Sequence, residues 1–106
     1  MHIYEQIDDI LGIMWGNVME ASRYMREAHD LKENCRGFAD WCRDMAMKHL
    51  EFNTAGKALY ERMRERLHED GEHSIHAKGL MMVFDRQMHK LDRQHAEVKA
   101  MLDAYK

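Results

Sequence analysis

Two histidines, His49 and His95, take positions at the three- and four-residue spacing of apolar helix faces. Imidazole in such a place can bind zinc, copper, iron or nickel, but a site enclosed by protein needs three or four ligands, and no carboxylate falls on these faces. Asn53 follows His49 by about one helical turn, and buried imidazole and amide groups satisfy one another through hydrogen bonds. The pattern predicts a core polar layer of His49, Asn53 and His95, with a metal site at the two histidines as the alternative.

A second group of histidines, His68, His73 and His76, surrounds a predicted turn. His73 and His76 are three residues apart, so a helix would present both on one side. Together with the acidic residues of the run HEDGEH they could capture a divalent ion at the surface. The simpler interpretation is a solvated, charged turn, and no resident metal or cofactor is predicted.

Ferritin-like di-iron chemistry is the enzymatic alternative for a small helical chain, because such bundles place Glu-x-x-His motifs inward. In the run ERLH, Glu65 and His68 point away from the predicted apolar face. In the run DRQH, Asp92 lies at the edge of its face and only His95 points inward. Nucleophile–base pairs at motif spacing and phosphate-binding glycine loops are also missing from the sequence, so we predict no catalytic residue and no catalysis.

Charge and hydropathy argue against nucleic-acid and membrane partners. The formal net charge is −3, and glutamates alternate with arginines in the run ERMRERLHED, which cancels a local basic field. The longest run without a charge covers ten residues, 10–19, which is too short to span a bilayer. The run MHIYEQIDD lacks the basic and apolar regions of a signal peptide. We therefore expect a soluble cytoplasmic protein.

Three amphipathic segments must position these side chains. The chain has no proline, and its apolar residues, 45% of the total, recur at helical spacing, which predicts an all-α protein. Helices are expected at residues 2–29, 31–69 and 72–105, in a single domain of residues 1–106. Short turns between long helices predict an elongated, coiled-coil-like, antiparallel up-down-up three-helix bundle.

The turns follow from capping patterns. Asp30 is the predicted N-cap of the second helix, with Glu33 completing a capping box, and Gly37 is an alternative break. Gly71 is expected to adopt a left-handed conformation in the second turn. This register would place His49 opposite Leu11 and Trp15 on the first helix and opposite His95 on the third.

Each helix has a predicted apolar face. For the first helix it comprises Ile3, Ile7, Ile10, Leu11, Met14, Val18, Ala21, Met25 and Ala28. For the second helix it comprises Phe38, Cys42, Met45, His49, Phe52, Gly56, Leu59, Met63 and Leu67. For the third helix it comprises Ala77, Leu80, Phe84, Met88, Leu91, His95, Val98, Leu102 and Tyr105. Gly56 is expected to admit a ring or a close helix, with Tyr4 and either Phe84 or Met88 as its neighbours.

The two cysteines, Cys35 and Cys42, are expected to be reduced thiols. Their spacing on one helix separates the Cα atoms by about 10 Å, beyond the reach of a disulfide. An intermolecular disulfide or a pair of metal ligands is the functional alternative.

Several apolar side chains lie off the predicted faces, and two interpretations are open for them. They could fill the flanks of the bundle or form a self-association surface. We expect a homo-oligomer, or an unidentified protein partner, at an interface drawn from Trp41, Met19, Met81, Met82, Val83 and Met101.

Two stretches, ADWCRDMAMKHLEFNTAG at residues 39–56 and HAEVKAMLDAYK at residues 95–106, resemble small helical proteins encoded by bacteriophages and prophages of gut bacteria. The resemblance extends along most of the chain and carries over no site residue. It implies a phage-related origin and favours a small accessory or binding protein over an enzyme. We therefore expect a protein-interaction or assembly module. The alternatives are a metal-binding, ferritin-like bundle with inward histidines and a nucleic-acid-associated factor.

Overall fold

The computed structural model describes residues 2–69 and 75–106, apart from the side chain of residue 69. In that part of the chain it contains three helices and no strand: α1 (Ile3–Leu31), α2 (Arg36–Glu69) and α3 (Ile75–Ala104). The helices pack against one another, so the predicted all-α, three-helix fold is confirmed.

Helix α1 begins where the side chain of His2 replaces a missing backbone partner. The Tyr4 backbone N–H donates to His2 Nδ1 over 3.3 Å, and the His2 ring stacks on the Tyr4 ring. Such N-caps satisfy one of the free donors of the first turn. The buried side of α1 agrees with its predicted apolar face and comprises Ile7, Leu11, Met14, Val18, Ala21, Met25 and Ala28.

The first turn lies later in the chain than predicted. Helix α1 continues through Asp30 to Leu31, so Asp30 is not the N-cap of α2. The Cys35 N–H donates to the Leu31 carbonyl at 2.7 Å, and the Cys35 carbonyl accepts from the Ala39 N–H at 2.9 Å. Cys35 is therefore the last residue before α2. Because each residue of turn displacement moves the antiparallel pairing by two, the α1–α2 register differs from the predicted one by about one helical turn.

The second turn, with Gly71 and the predicted start of the third helix at residue 72, lies outside the described residues. Helix α2 extends to Glu69, where the described part of this helix stops, and α3 ends at Ala104, one residue before the predicted end.

The buried side of α2 is rotated from the predicted apolar face. Phe38, Phe52 and Leu59 were expected in the core, but they are 51%, 59% and 40% exposed. The buried residues of α2 are Ala39, Cys42, Ala46, Leu50, Asn53, Tyr60 and Leu67. Small buried side chains near the start of α2 allow close packing of neighbouring helices. The apolar arc of α2 is thus wider than its neighbours cover.

Helix α1 organises the bundle, since it packs closely on α2 and also on α3, whereas the α2 and α3 backbones rarely approach each other. Long polar side chains join α2 to α3 instead. Tyr60 Oη donates to Asp85 Oδ1 at 2.6 Å, and Arg64 donates to both Asp85 carboxylate oxygens at 2.9 and 2.8 Å. At the other end of the bundle, Tyr105 Oη donates to Asp40 Oδ1 at 2.6 Å.

Candidate interaction surface and polar cavity

His49 lies half-buried between α1 and α2. Its Nδ1–H donates to Asn17 Oδ1 over 2.7 Å, and its ring stacks on Tyr24 with 5.8 Å between ring centroids. Asn17 was not among the neighbours predicted for His49 on the first helix, which were Leu11 and Trp15. The later first turn explains the difference, because it slides α2 along α1 by about one helical turn.

Asn53, about one helical turn after His49, and His95 line a cavity of about 150 Å³ between α2 and α3, together with Met14 of α1. Asn53 is buried, and its Nδ2 donates to the Met14 carbonyl at 2.8 Å. Burial lowers the pKa of His95, with Asp92 raising it and Lys99 and Lys57 lowering it further. Asn53 and His95 thus share one cavity, while His49 has different neighbours, so the three do not form the single layer that was predicted.

The side chain of Asn53, one of the residues that line this cavity, has a buried hydrogen-bond acceptor without a partner in the described part of the chain. Asn53 Oδ1 is buried, and no described residue donates to it. A salt bridge between Lys57 Nζ and Asp92 Oδ1, 3.0 Å long, lies along the same cavity.

The candidate metal ligands are dispersed. Within residues 2–69 and 75–106, no group of three or more His, Cys, Asp or Glu side chains is arranged to hold a metal ion. Of the predicted surface cluster, His68 and His76 are exposed, and His73 lies outside the described residues.

The two cysteines are both free thiols in different surroundings. Cys35 is exposed in the first turn, whereas Cys42 is buried with its Sγ 3.9 Å from Glu27 Oε2. Burial raises the pKa of Cys42, and the Glu27 carboxylate raises it further.

The residues predicted to form an interface do not form one surface. Trp41, Met19, Met82 and Val83 are exposed, whereas Met81 and Met101 pack partly buried against the core. Met82 and Val83 lie near the start of α3, at the opposite end of an antiparallel bundle from Trp41 near the start of α2.

An apolar surface instead runs along the side of the α1–α2 pair whose groove has no lining from α3. We call it the outer face and define it by five large, exposed apolar residues: Ile13, Phe38, Trp41, Phe52 and Leu59. Their exposed fractions range from 40% to 59%. Four of the five come from α2, and three of those four belong to its predicted apolar face. Most of the apolar residues that form this surface were therefore identified in the sequence, but they were assigned to the core.

Ring contacts order one half of the outer face. The Trp41 ring stacks on Phe38 with centroids 5.6 Å apart and meets the edge of Tyr24 at 5.7 Å. Tyr24 in turn stacks on His49, one helical turn before Phe52. These contacts hold the exposed rings in fixed positions, which lowers the entropy cost of binding through them.

A groove of about 260 Å³ forms the other half. Its lining comes from α1 and α2 alone and is almost entirely apolar: Ile10, Ile13, Met14, Phe52, Ala55, Gly56 and Leu59. Gly56 packs against Met14, not against the predicted Tyr4, Phe84 or Met88. A Cβ at residue 56 would come within 3.0 Å of Met14 Cγ, so glycine keeps the floor of the groove low.

The two edges of the outer face differ in charge, as judged from the residues that helical spacing places along each edge. The charged side chains along the α1 edge are Asp9, Glu20, Arg23 and Glu27. The charged side chains along the α2 edge are Asp44, Lys48, Arg62 and Arg66. On α1 the one cation bridges two carboxylates, with Arg23 2.7 Å from Glu20 and 3.0 Å from Glu27. The α1 edge is therefore acidic in sum. On the α2 edge Asp44 and Lys48 balance within the span of the outer face, and Arg62 and Arg66 follow just beyond Leu59.

The fold and this surface define an all-α three-helix protein with an uncovered aromatic and aliphatic face. Comparison with protein-family models, with curated proteins and with solved structures gives no match. In the described part of the chain, no helix combines the length and the apolar character needed to cross a membrane.

Proposed function

We propose that the protein is a small helical interaction or assembly module of the cytoplasm, acting by binding another protein rather than by catalysis. The outer face carries this proposal, because five large apolar side chains are exposed together on one side of two helices. Single exposed apolar residues are normal on a protein surface, but a contiguous patch marks a binding site.

The composition of the outer face suits protein recognition. Phenylalanine and tryptophan are enriched at interfaces, where each buries about 150–250 Å². Half of that area, buried at about 25 cal/mol per Å², contributes roughly 2–3 kcal/mol per aromatic side chain. The three rings and two aliphatic side chains together oppose an entropy cost of association of about 4–15 kcal/mol.

The sequence resemblance supports a phage or prophage origin and an accessory role. The outer face offers a surface for the partner of such a protein. We propose no resident metal, and the metal-binding bundle remains the competing function.

Capture from extracts of the native host tests the proposed function. Tagged wild-type protein, a Trp41→Asp/Phe52→Asp variant and a Met82→Asp variant are compared, since Met82 is 65% exposed but lies off the outer face. We expect wild type and Met82→Asp to retain the same protein in stoichiometric amount, and the double variant to lose it.

Retention of the same proteins by all three baits would contradict the proposal, as would a wild-type bait that retains neither a host protein nor an untagged copy of the chain. Elemental analysis after purification without a nickel column addresses the competing function. A stoichiometric transition metal, lost on substitution of His49 or His95, would replace the interaction module with a metal-binding protein.

A further inference from the structure

We propose that the outer face binds a second copy of the same chain, an inference that rests on the proposed interaction function and names the partner. In the dimer, the two α1–α2 pairs stack face to face and form a four-helix core with α3 outside on each side. The same surface is used by both copies, as in any two-fold symmetric interface.

The outer face has the dimensions of a dimer interface. From Phe38 to Leu59 it extends about 30 Å along α2, at about 1.5 Å per residue. Two packed helices are about 20 Å wide, so each copy offers on the order of 600 Å² in projection. Stable interfaces bury about 800 Å² of accessible surface per partner. The accessible surface of a patch is larger than its projected area, because side chains protrude from it.

The edge charges select one arrangement of the two copies. A two-fold axis parallel to the helices places α1 of one copy over α2 of the other, and so brings the acidic α1 edge twice onto the edge that carries Lys48, Arg62 and Arg66. A two-fold axis across the helices would place α1 over α1, acid against acid. Like charges across an interface cost binding energy, whereas opposite charges fix its register.

Heights along the bundle bring specific charges together. The His49–Asn17 hydrogen bond shows that these two residues lie at the same height on α2 and α1. Since the helices are antiparallel, Glu20 lies about 3 Å in height from Lys48. A two-fold axis parallel to the helices preserves height, so Glu20 of each copy meets Lys48 of the other.

At the centre of the outer face, the shape of the surface favours the same two-fold arrangement as the charges do. By the same heights, Phe52 lies between the levels of Ile13 and Gly16 on α1. A Cβ at Gly16 would meet nothing within 4 Å, so α1 has an open position there. The exposed ring of Phe52 from one copy therefore faces a gap on α1 of the other, a complementarity that only a second copy supplies in both directions.

Light scattering and sedimentation equilibrium of the full chain test the proposal, from low micromolar to about 0.5 mM. We expect wild type to reach twice the chain mass of 12.7 kDa, and Phe52→Asp to remain monomeric with an unchanged helical circular dichroism spectrum. Phe52 is 59% exposed, so its replacement should not unfold the monomer.

A charge swap tests the arrangement. Lys48→Glu should raise the dimer dissociation constant about tenfold or more, and Glu20→Lys/Lys48→Glu should restore it to within about threefold of wild type. Arg86→Glu, an equal charge change at an exposed position of α3, is the matched control and should leave the constant unchanged.

A wild-type mass of 12.7 kDa across the whole range would overturn the second copy as partner. If the face variant then still lost a host protein, the proposed function would stand without this inference. A dimer insensitive to Phe52→Asp would place the interface elsewhere and overturn the proposal. Disruption by Phe52→Asp without rescue in the charge swap would overturn the two-fold arrangement.

Discussion

At the scale of single residues, the Asn53 side chain has one amide atom with a hydrogen-bond partner in the described part of the chain and one without. Its amide nitrogen donates to the Met14 carbonyl on α1, while its amide oxygen is buried with no donor among the described residues. A buried acceptor without a partner costs about 1–3 kcal/mol. Asn53 thus lowers the stability of the core next to the cavity that it lines with His95.

Substitutions of Asn53 should separate the contributions of its amide nitrogen and its amide oxygen to stability. Asn53→Leu removes the unpartnered oxygen together with one hydrogen bond, so we expect the free energy of unfolding to stay within about 1 kcal/mol of wild type or to rise. Asn53→Asp places a carboxylate against the Met14 carbonyl and should lose about 2–4 kcal/mol at neutral pH. Urea denaturation measures both, and equal midpoints for the two variants would mean that residue 53 is solvated.

Glycines inside helices should respond according to the space around them. Ala at Gly12 or Gly79 would meet nothing within 4 Å, so each substitution should stabilise the fold by about 0.5–1 kcal/mol through backbone entropy. Gly56→Ala would push against Met14 and should gain less or lose stability. Thermal unfolding ranks the three variants, and a Gly56→Ala melting temperature above the other two would contradict the packing described for Met14.

His95 should make stability depend on pH. Because burial lowers its pKa in the folded state, the unfolded chain binds the proton more readily. Its contribution is complete above the ordinary histidine value of about 6.5 and is lost as pH falls through the lower folded-state pKa. We expect His95→Gln to lose less unfolding free energy than wild type between about pH 7.5 and about pH 5.5.

Urea titrations at the two pH values measure this difference. His89→Gln, at an exposed position of the same helix, is the matched control and should follow wild type. A pH dependence that is the same in all three proteins would show that His95 is not responsible.

At the scale of helices, α2 and α3 depend on side-chain bridges because their backbones rarely meet. The hydroxyl of Tyr60, a residue only 2% exposed, donates to Asp85, which Arg64 also contacts through two hydrogen bonds. These bonds lower the pKa of Asp85, that from Arg64 foremost. The cluster therefore stabilises the fold above about pH 4 and loses its effect as pH falls through the folded-state pKa.

Removal of this bridge should cost more than removal of an exposed one. Asp85→Ala takes the acceptor from the Tyr60 hydroxyl, so we expect a loss of about 1–3 kcal/mol at neutral pH. Asp92→Ala breaks the Lys57 ion pair, whose side chains are 42% and 45% exposed, and should cost less than about 1 kcal/mol. Chemical denaturation of the two variants decides, and equal losses would mean that the Tyr60 hydroxyl finds another partner.

The three helices and the buried faces of α1 and α3 could be predicted from the sequence, but the buried face of α2 could not. Helices α1 and α3 each carry one apolar stripe, so periodicity alone assigns their buried sides. Helix α2 has apolar residues around a wider arc, and the pattern does not state which part its neighbours cover. Phe52 and Leu59 were therefore placed in the core, although they form the outer face.

The neighbours of His49 were predicted wrongly because the first turn was placed too early in the chain. Asp30 and Glu33 match a capping box, but the chain continues as helix until Leu31. A local capping preference of about 1 kcal/mol cannot outweigh the packing of a whole helix. The resulting error in register gave His49 the wrong neighbours and hid its pairing with Asn17.

At the scale of the whole molecule, α1 is the central element, since both other helices depend on it for most of their contacts. Its buried side is almost continuous from Ile7 to Ala28. The described part of the chain extends over 57 × 20 × 16 Å, so the long axis is nearly three times the next one. The outer face lies along this long axis, which gives a partner a strip rather than a compact patch to bind.

The elongated shape also governs how the molecule moves through water. A rod of 57 Å drags more solvent than a sphere of equal mass, so its translational diffusion is slower and its tumbling about the long axis is faster than about the short ones. On a size-exclusion column even the monomer should elute ahead of a globular 12.7 kDa standard. Nuclear spin relaxation should resolve two rotational correlation times, with amide vectors along the helices reporting the slower one.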